Sequence, residues 1–170
     1  MTRRRIVAAL SLLALVGAGV LVWRIFFPGE KTLIVRRLNA AADAVAVTPG
    51  ESGAAALVKL HRVESLLDAR IDCRVRFRRQ TWNENIERGL VLTALGSLRK
   101  NRIKLSVKLD HFRVTVNGDS ARVEAEAQID AADAGGKWKD SRQEDVVFGL
   151  VRRDGEWLIS EVAIRDFMVK

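Results

Sequence analysis

The second half of the chain alternates apolar and polar side chains with a period of two, and this pattern constrains the fold more than any other feature. "NGD" at 117–119 and "RDGE" at 153–156 contain the Asn-Gly and Asp-Gly pairs that favour tight hairpin turns, and "AADAGG" at 131–136 is a looser connection. These turns predict four antiparallel strands, near residues 102–116, 119–130, 137–153 and 156–168. Strands about twice the usual five or six residues in length must curl.

The alternation changes face within the first of these strands. Leu109 and the alternate residues before it share one parity, whereas Phe112 and the alternate residues after it share the other. Asp110 and His111 lie at the change. One extra residue on a strand, a β-bulge, produces such a shift, and we predict a bulge here. The alternative is a catalytic pair, because histidine is a base near neutral pH and a carboxylate can orient it.

Two helices are predicted before this half of the chain. Apolar side chains at i, i+4, i+7 and i+11 indicate a first helix over residues 31–46. "TPGE" at 48–51 has the pattern of a capping box, in which Thr48 caps the helix and Glu51 reaches back to it. This pattern predicts a second helix that ends near Asp68.

A strand and a third helix follow. In "IDCRVRFRR", residues 71–79, arginines alternate with apolar side chains, which is typical of a strand. "TWNE" at 81–84 repeats the capping-box pattern and predicts a helix from Trp82 to about Leu98. The order of elements therefore predicts an α+β domain, in which three helices pack on one face of a curved antiparallel sheet and the other face is open.

The N-terminal segment predicts a membrane anchor. Arg3–Arg5 precede 18 uncharged residues, Ile6–Trp23. As a helix this run spans about 27 Å, close to the ~30 Å hydrocarbon core of a bilayer. We predict a single transmembrane helix over residues 6–27, with residues 1–5 in the cytoplasm and the domain, residues 28–170, in the periplasm or outside the cell. A cleaved signal peptide is the alternative.

Charge and composition argue against several kinds of site. The net charge is +8, but four arginines lie in the first 27 residues, which contain no acid, so the remainder is only mildly basic. A nucleic-acid partner is therefore not expected. A single cysteine excludes an internal disulfide, and two histidines disfavour a metal site. The sequence has no cofactor-binding motif, and no cofactor is expected.

Two stretches resemble the nuclear transport factor 2-like superfamily, which includes the SnoaL-like cyclases. They are "VNGDSARVEAEAQI" (116–129) and "RRDGEWLISEVAI" (152–164), the second with Trp157 after its turn. The resemblance covers about residues 31–170 and implies a cone-shaped α+β fold. Enzymes of this fold commonly use Asp, His and Tyr side chains that line the cone, but this chain has no tyrosine. With its anchor, the layout is similar to that of the bitopic assembly components of type IV secretion systems.

Two groups of side chains are candidates for a site. The catalytic candidates, groups capable of acid–base work in a cone, are Asp110, His111 and Asp166. The binding candidates are a stripe of arginines and a nearby aromatic residue, namely Arg74, Arg76, Arg78 and Trp82. Such a stripe can hold carboxylate or phosphate groups, so an acidic protein partner or a lipid headgroup is the expected ligand. We favour the simpler interpretation, a solvated strand face paired with acids on a neighbouring strand, and ligand binding by the stripe is the alternative.

These observations predict a membrane-anchored binding or assembly module without catalytic activity. It would form a homodimer through the open sheet face and contact another protein of the cell envelope. The alternative is a cone that binds a small hydrophobic ligand, or a SnoaL-like enzyme that acts on one through the catalytic candidates. Binding of nucleic acid through the arginine stripe would require the opposite membrane topology.

Overall fold

The computed structural model describes residues 29–77, 80–101, 103–133, 135 and 138–167. Met1–Leu33 and Ile34–Lys170 form two compact units, and the sheet belongs to the second. The predicted membrane anchor, residues 6–27, lies outside the described residues. Among the residues that are described, no helix is long and apolar enough to cross a bilayer.

Three helices and six strands follow one another in the described residues. The helices are α1 (Glu30–Val45), α2 (Gly53–Leu66) and α3 (Arg88–Lys100). The strands are β1 (Leu67–Phe77), β2 (Gln80–Glu87), β3 (Lys104–Asn117), β4 (Ser120–Ala132), β5 (Lys139–Arg153) and β6 (Glu156–Phe167). The predicted α+β class with three helices is confirmed, and the four strands of the second half lie close to their predicted bounds.

The strands form one sheet in the order β2-β1-β6-β5-β4-β3. β1 and β6 are parallel, and the other neighbouring strands are antiparallel. The helices cover one face of the sheet, where the most deeply buried side chains are Ile34, Leu38, Val63, Val123 and Leu150. We call the other face the open face; it carries Arg74 on β1, Glu161 on β6 and Glu124 on β4.

The bulge predicted at Asp110-His111 is confirmed. Asp110 pairs with Glu126 and Arg113 pairs with Glu124, so β3 has one more residue than β4 between these two pairs. His111 has a left-handed backbone with φ +54°. Histidine adopts this conformation more readily than most residues other than glycine. A bulge bends its strand and increases the local twist, and it therefore contributes to the curl of the sheet.

The third helix begins later than predicted. Residues 80–87, which include the "TWNE" segment, form β2 and pair with β1 along their whole length. α3 starts at Arg88, and no side chain caps its first turn. The prediction of a helix from Trp82 was wrong because a capping box is a local signal. The hydrogen bonds of β2 come instead from a neighbouring strand, which a local pattern does not reveal. The sheet therefore has six strands in place of the predicted five.

The second helix is also capped differently. The cap is Ser52, whose hydroxyl accepts a hydrogen bond from the Ala55 N–H at 3.2 Å. Thr48 instead accepts a backbone hydrogen bond from Glu51 in the preceding turn. The predicted capping box at residues 48–51 is therefore wrong, because the chain makes a turn there before the helix begins.

The Glu51 carboxylate instead holds two cations. It lies 2.6 Å from Lys59 Nζ and 3.4 Å from Arg99 Nε. Arg99 also donates to the Ala44 carbonyl at 2.7 Å, and Lys59 donates to the Ala46 carbonyl at 3.0 Å. The hydrogen bond from Lys59 is the main cause that lowers the pKa of Glu51; burial opposes this and the Arg99 charge reinforces it. We call Glu51, Lys59 and Arg99 the Glu51 cluster, and it joins the end of α1 to α2 and α3.

Candidate functional site: an apolar cavity

A cavity of about 250 Å³ lies between the helices and the sheet. Its walls come from all three helices and from strands β1, β3, β5 and β6. Several of the lining side chains, such as those of Val91, Val107 and Phe148, are half-buried, so the cavity reaches the surface. This is the cone interior that the resemblance implied, and it is the first candidate for a ligand site.

Helix α1 and three strands shape the cavity. α1 lines the cavity with one face. That face carries Leu38, Ala41, Ala42 and Val45, which lie at positions i, i+3, i+4 and i+7. The short side chains of Ala41 and Ala42 leave space between α1 and the sheet. Phe148, Val162 and Cys73 are direct neighbours across β5, β6 and β1 and form the opposite wall. The sequence showed this face of α1 as part of a core, but it did not show that the alanines leave a cavity.

The chemistry of the lining is apolar. Among the described residues around the cavity, Cys73 is the one group that can ionise. Burial raises the pKa of its thiol, and the negative charges of Glu84 and Asp72 raise it further. The thiol is therefore protonated at neutral pH, and a protonated thiol is a weak nucleophile. The lining can select a molecule by size and apolar contact, but it does not present an acid–base pair to it.

Glu144 is a carboxyl group on the same face of the sheet. It pairs with Ala127, which in turn pairs with Leu109 of the cavity lining. It is 6% exposed, and among the described residues no other charged residue is this deeply buried. Burial is the main cause that raises its pKa, with a small addition from Asp145, and the Arg142 charge opposes both. The sequence marks Glu144 as a strand carboxylate capable of acid–base work in a cone, but it does not fix the position of the side chain, because its depth depends on how the sheet curls.

The Glu144→Gln variant is expected to be more stable than the wild type near neutral pH. A carboxyl whose pKa is raised on folding stabilises the fold below its ordinary pKa, and this stabilisation is lost as the pH rises through the raised value. The difference between variant and wild type should therefore shrink as the pH falls below about 4.5, the ordinary value. Urea unfolding of the variant and the wild type, near neutral pH and again below about pH 4.5, measures this difference in stability. The exposed Glu84→Gln variant serves as the control, and an equal effect of both variants would contradict the burial argument.

The structure places Asp110 and His111 away from the cavity. Both are exposed on β3, an edge strand of the sheet. The Nδ1 atom of His111 lies 3.3 Å from a carboxylate oxygen of Glu126, on the neighbouring strand. Asp166 belongs to β6, but its side chain lies outside the described part of the chain. The described candidates therefore do not form a catalytic group in the cone.

Arg74 of the arginine stripe and Trp82 lie on different faces of the sheet. Arg74 is on the open face, where its Nε donates to the Asn83 side chain at 2.9 Å and its guanidinium lies 3.5 Å from Glu161. Trp82 pairs with Val75, the next residue of β1, and therefore lies on the opposite face. The two do not form one surface. Arg78 and the side chain of Arg76 lie outside the described residues.

Metal binding has no basis in the described residues. Within those ranges, no group of three or more His, Cys, Asp or Glu side chains is placed to hold an ion.

Residues 54–163, from α2 to β6, match the SnoaL-like domain family. The chain belongs to the SnoaL-like domain family. Its SnoaL-like domain contains most of the helices and strands that enclose the cavity, while α1 precedes the matched range. No curated protein matches the sequence. The predicted superfamily is thereby supported, and the similarity to type IV secretion components stays a prediction.

Solved structures share the fold of this SnoaL-like domain. A candidate aromatic ring hydroxylase from Novosphingobium aromaticivorans has a TM-score of 0.62 at 14% identity, over 82% of this chain and 90% of its own. A candidate dehydratase of the nuclear transport factor 2-like family from Streptomyces avermitilis has a TM-score of 0.59 at 16% identity, over 83% of this chain and 97% of its own. A nuclear transport factor 2-like protein from Cytophaga hutchinsonii has a TM-score of 0.58 at 13% identity, over 80% of this chain and 97% of its own. At these identities the likeness shows the fold alone.

Proposed function

We propose that the SnoaL-like domain binds a small apolar molecule in the cavity between its helices and its sheet, and does not transform it. The observation that carries the proposal is the lining, in which apolar side chains surround about 250 Å³ and Cys73 is the single ionisable group described. An apolar ligand in such a site is held by the removal of its surface from water, at about 25 cal/mol per Å². General acid–base chemistry needs polar groups within hydrogen-bonding reach, and the described lining offers none of suitable pKa.

The volume sets the size of the ligand. A protein cavity of about 150 Å³ holds benzene, so a cavity of about 250 Å³ suits a molecule of one or two fused rings, or a branched chain of similar size. Indole and naphthalene are therefore suitable probes.

Cys73 provides a local readout of binding. It is the single cysteine of the chain and it lines the cavity. In full-length protein held in lipid nanodiscs, indole or naphthalene is expected to slow the modification of Cys73 by methyl methanethiosulfonate several-fold. Mass spectrometry of the recovered probe should show it unchanged. If neither probe protects Cys73, or if a product appears, the proposal is overturned.

A pair of leucine substitutions shows where the probe binds. Ala41→Leu fills part of the cavity from α1 and should abolish the protection. Ala54→Leu adds the same side chain to an exposed position of α2 and should leave the protection unchanged. Equal protection in both variants would mean that the probe binds elsewhere.

The same proposal places the domain outside the cytoplasm, held at the membrane by residues 6–27. Its support is the run of 18 uncharged residues after three arginines. Alkaline phosphatase fused after Lys170 is expected to be active in a bacterial host, because that enzyme matures only outside the cytoplasm. An inactive fusion, with an active one when the first 27 residues are replaced by a known export signal, would overturn this topology.

A further inference from the structure

The large apolar side chains that are exposed lie mainly on the helical side of the domain. Leu57 and Val58 of α2 are each 69% exposed, and Leu90 of α3 is 62% exposed. Trp82 of β2 is 72% exposed and lies on the face of the sheet that the helices cover. On the open face, none of the described residues is an exposed large apolar side chain. An exposed apolar patch confined to one side marks an interaction surface.

Helices α2 and α3 together form this surface. Arg88, at the start of α3, donates to the Glu64 carbonyl near the end of α2 at 3.3 Å. At the opposite ends of the two helices, Arg99 Nε lies 3.4 Å from the carboxylate of Glu51, which precedes α2. The helices are therefore antiparallel neighbours, and their outward side chains share one surface. We call it the helical patch, and its exposed apolar members, at i, i+3 and i+4 on α2 and at i and i+4 on α3, are Ala54, Leu57, Val58, Leu90 and Ala94.

The charge around the helical patch is positive. The exposed residues of α2 and α3, which are both described along their whole length, include Arg62 and Lys100 but no carboxylate. Glu64 is partly exposed, but its charge is balanced by Arg88, whose Nη2 lies 4.0 Å from it. An apolar surface bordered by cations is typical of helices that lie in the interface of a bilayer, with apolar side chains among the acyl chains and cations at anionic headgroups.

The predicted anchor keeps a bilayer within reach of the helical patch. Only Pro28 and Gly29 lie between the predicted span, residues 6–27, and the start of α1 at Glu30. Two residues extend over at most about 7 Å, so the domain cannot move far from the membrane surface. A partner protein would have to reach the patch by diffusion, whereas the lipid surface is always close to it.

We infer that the helical patch lies on the surface of the membrane that holds the anchor. Leu57, Val58 and Leu90 enter the outer part of the acyl-chain region, and Arg62 and Lys100 contact anionic headgroups. The open face, on the opposite side of the sheet from the helices, is then directed away from the bilayer. The inference rests on the anchor of the proposed function but not on the cavity, because none of these side chains belongs to the cavity lining.

Quenchers carried by the lipids test this contact in full-length protein. In a Cys73→Ser background, which has no other cysteine, Leu57→Cys, Leu90→Cys or Gln128→Cys provides one site for a nitrobenzoxadiazole label. Gln128 is exposed on the open face and is the control position. The labelled proteins are held in nanodiscs of phosphatidylethanolamine and phosphatidylglycerol, with or without doxyl groups on the acyl chains near the headgroups. We expect the doxyl lipids to reduce the emission at positions 57 and 90 several-fold and to leave the emission at position 128 unchanged.

A pair of acidic variants shows whether the helical patch makes the contact. Leu57→Glu combined with Val58→Glu places two carboxylates in the patch and should abolish the quenching of the label at position 90. Thr115→Glu combined with Gln128→Glu adds two carboxylates to the open face and should leave that quenching unchanged. The circular dichroism of both variants should match that of the labelled parent protein.

The outcomes separate this inference from the proposed function. A protein that does not stay with the nanodisc would overturn the anchor and this inference together. Retention in the nanodisc without quenching at positions 57 and 90 would overturn this inference alone; if aqueous iodide also failed to quench these labels, a protein partner and not lipid would cover the patch. Equal quenching at all three positions, or quenching that persists in the Leu57→Glu, Val58→Glu variant, would contradict the inference as well.

Discussion

Glu51→Gln is expected to lower the free energy of unfolding by about 2–3 kcal/mol near neutral pH. The side chains of Glu51 and Arg99 are only 9% and 7% exposed. Removing the carboxylate leaves the Arg99 guanidinium with backbone carbonyl partners but without its counter-charge. Breaking a fully buried pair costs about 3–5 kcal/mol. The loss expected for Glu51→Gln is smaller, because Lys59, the second cation beside the carboxylate, is nearer to solvent.

A matched surface pair provides the control. Glu156 binds Arg37 at 2.7 Å, almost the same distance as that between Glu51 and Lys59, but its side chain is 61% exposed. Glu156→Gln should therefore cost less than about 1 kcal/mol. Urea unfolding at equal protein concentration compares the two, and equal losses would show that burial does not set the strength of the Glu51 cluster.

The pH dependence follows from the lowered pKa of Glu51. A carboxyl whose pKa falls on folding stabilises the fold above its ordinary value of about 4.5, and this contribution is lost as the pH falls through the folded value. The gap between Glu51→Gln and the wild type should therefore close as the solution is acidified. A gap that stays constant down to about pH 3 would contradict the role of the ionised carboxylate.

Leu38→Ala is the second change with a large expected effect, a loss of about 3–4 kcal/mol in the free energy of unfolding. Leu38 is fully buried on α1 and lines the cavity, so its removal takes apolar contacts from the core and enlarges an existing space. Leu57→Ala on α2 deletes the same atoms from a side chain that is 69% exposed, and it should change stability by less than about 0.5 kcal/mol.

The same substitution should change which molecules are bound. With Leu38 shortened, a three-ring probe such as phenanthrene is expected to protect Cys73 from modification, whereas in the wild type it should not. Protection by phenanthrene in both proteins would mean that α1 does not limit the size of the cavity.

The second half of the fold could be predicted because its signals are local. Asn-Gly at 117–118 and Asp-Gly at 154–155 form the turns of two hairpins, with positive φ at Gly118, Asp154 and Gly155. The change of parity at Asp110 required one extra residue, and the register shows one. In each case the residues that carry the signal are the residues that adopt the structure.

β2 and the cavity could not be predicted because they depend on distant residues. The segment at 81–84 has the pattern of a helix start, but pairing with β1 makes it a strand. Ala41 and Ala42 have the spacing of a core helix, and only the distance between α1 and the sheet turns their small size into a cavity. The contact between His111 and Glu126 also depends on distant residues, because the register between β3 and β4 determines which side chain lies next to His111.

The parallel pairing of β1 with β6 has a consequence for how the chain folds. β1 ends at Phe77 and β6 begins at Glu156, so about 80 residues must be in place before this contact can close. Such a long sequence separation slows folding, because the chain loses the conformational entropy of a large loop before the contact contributes any stabilising free energy. During synthesis, the three helices and the β1–β2 hairpin must therefore wait for the last strand to leave the ribosome before they gain the sheet that buries them.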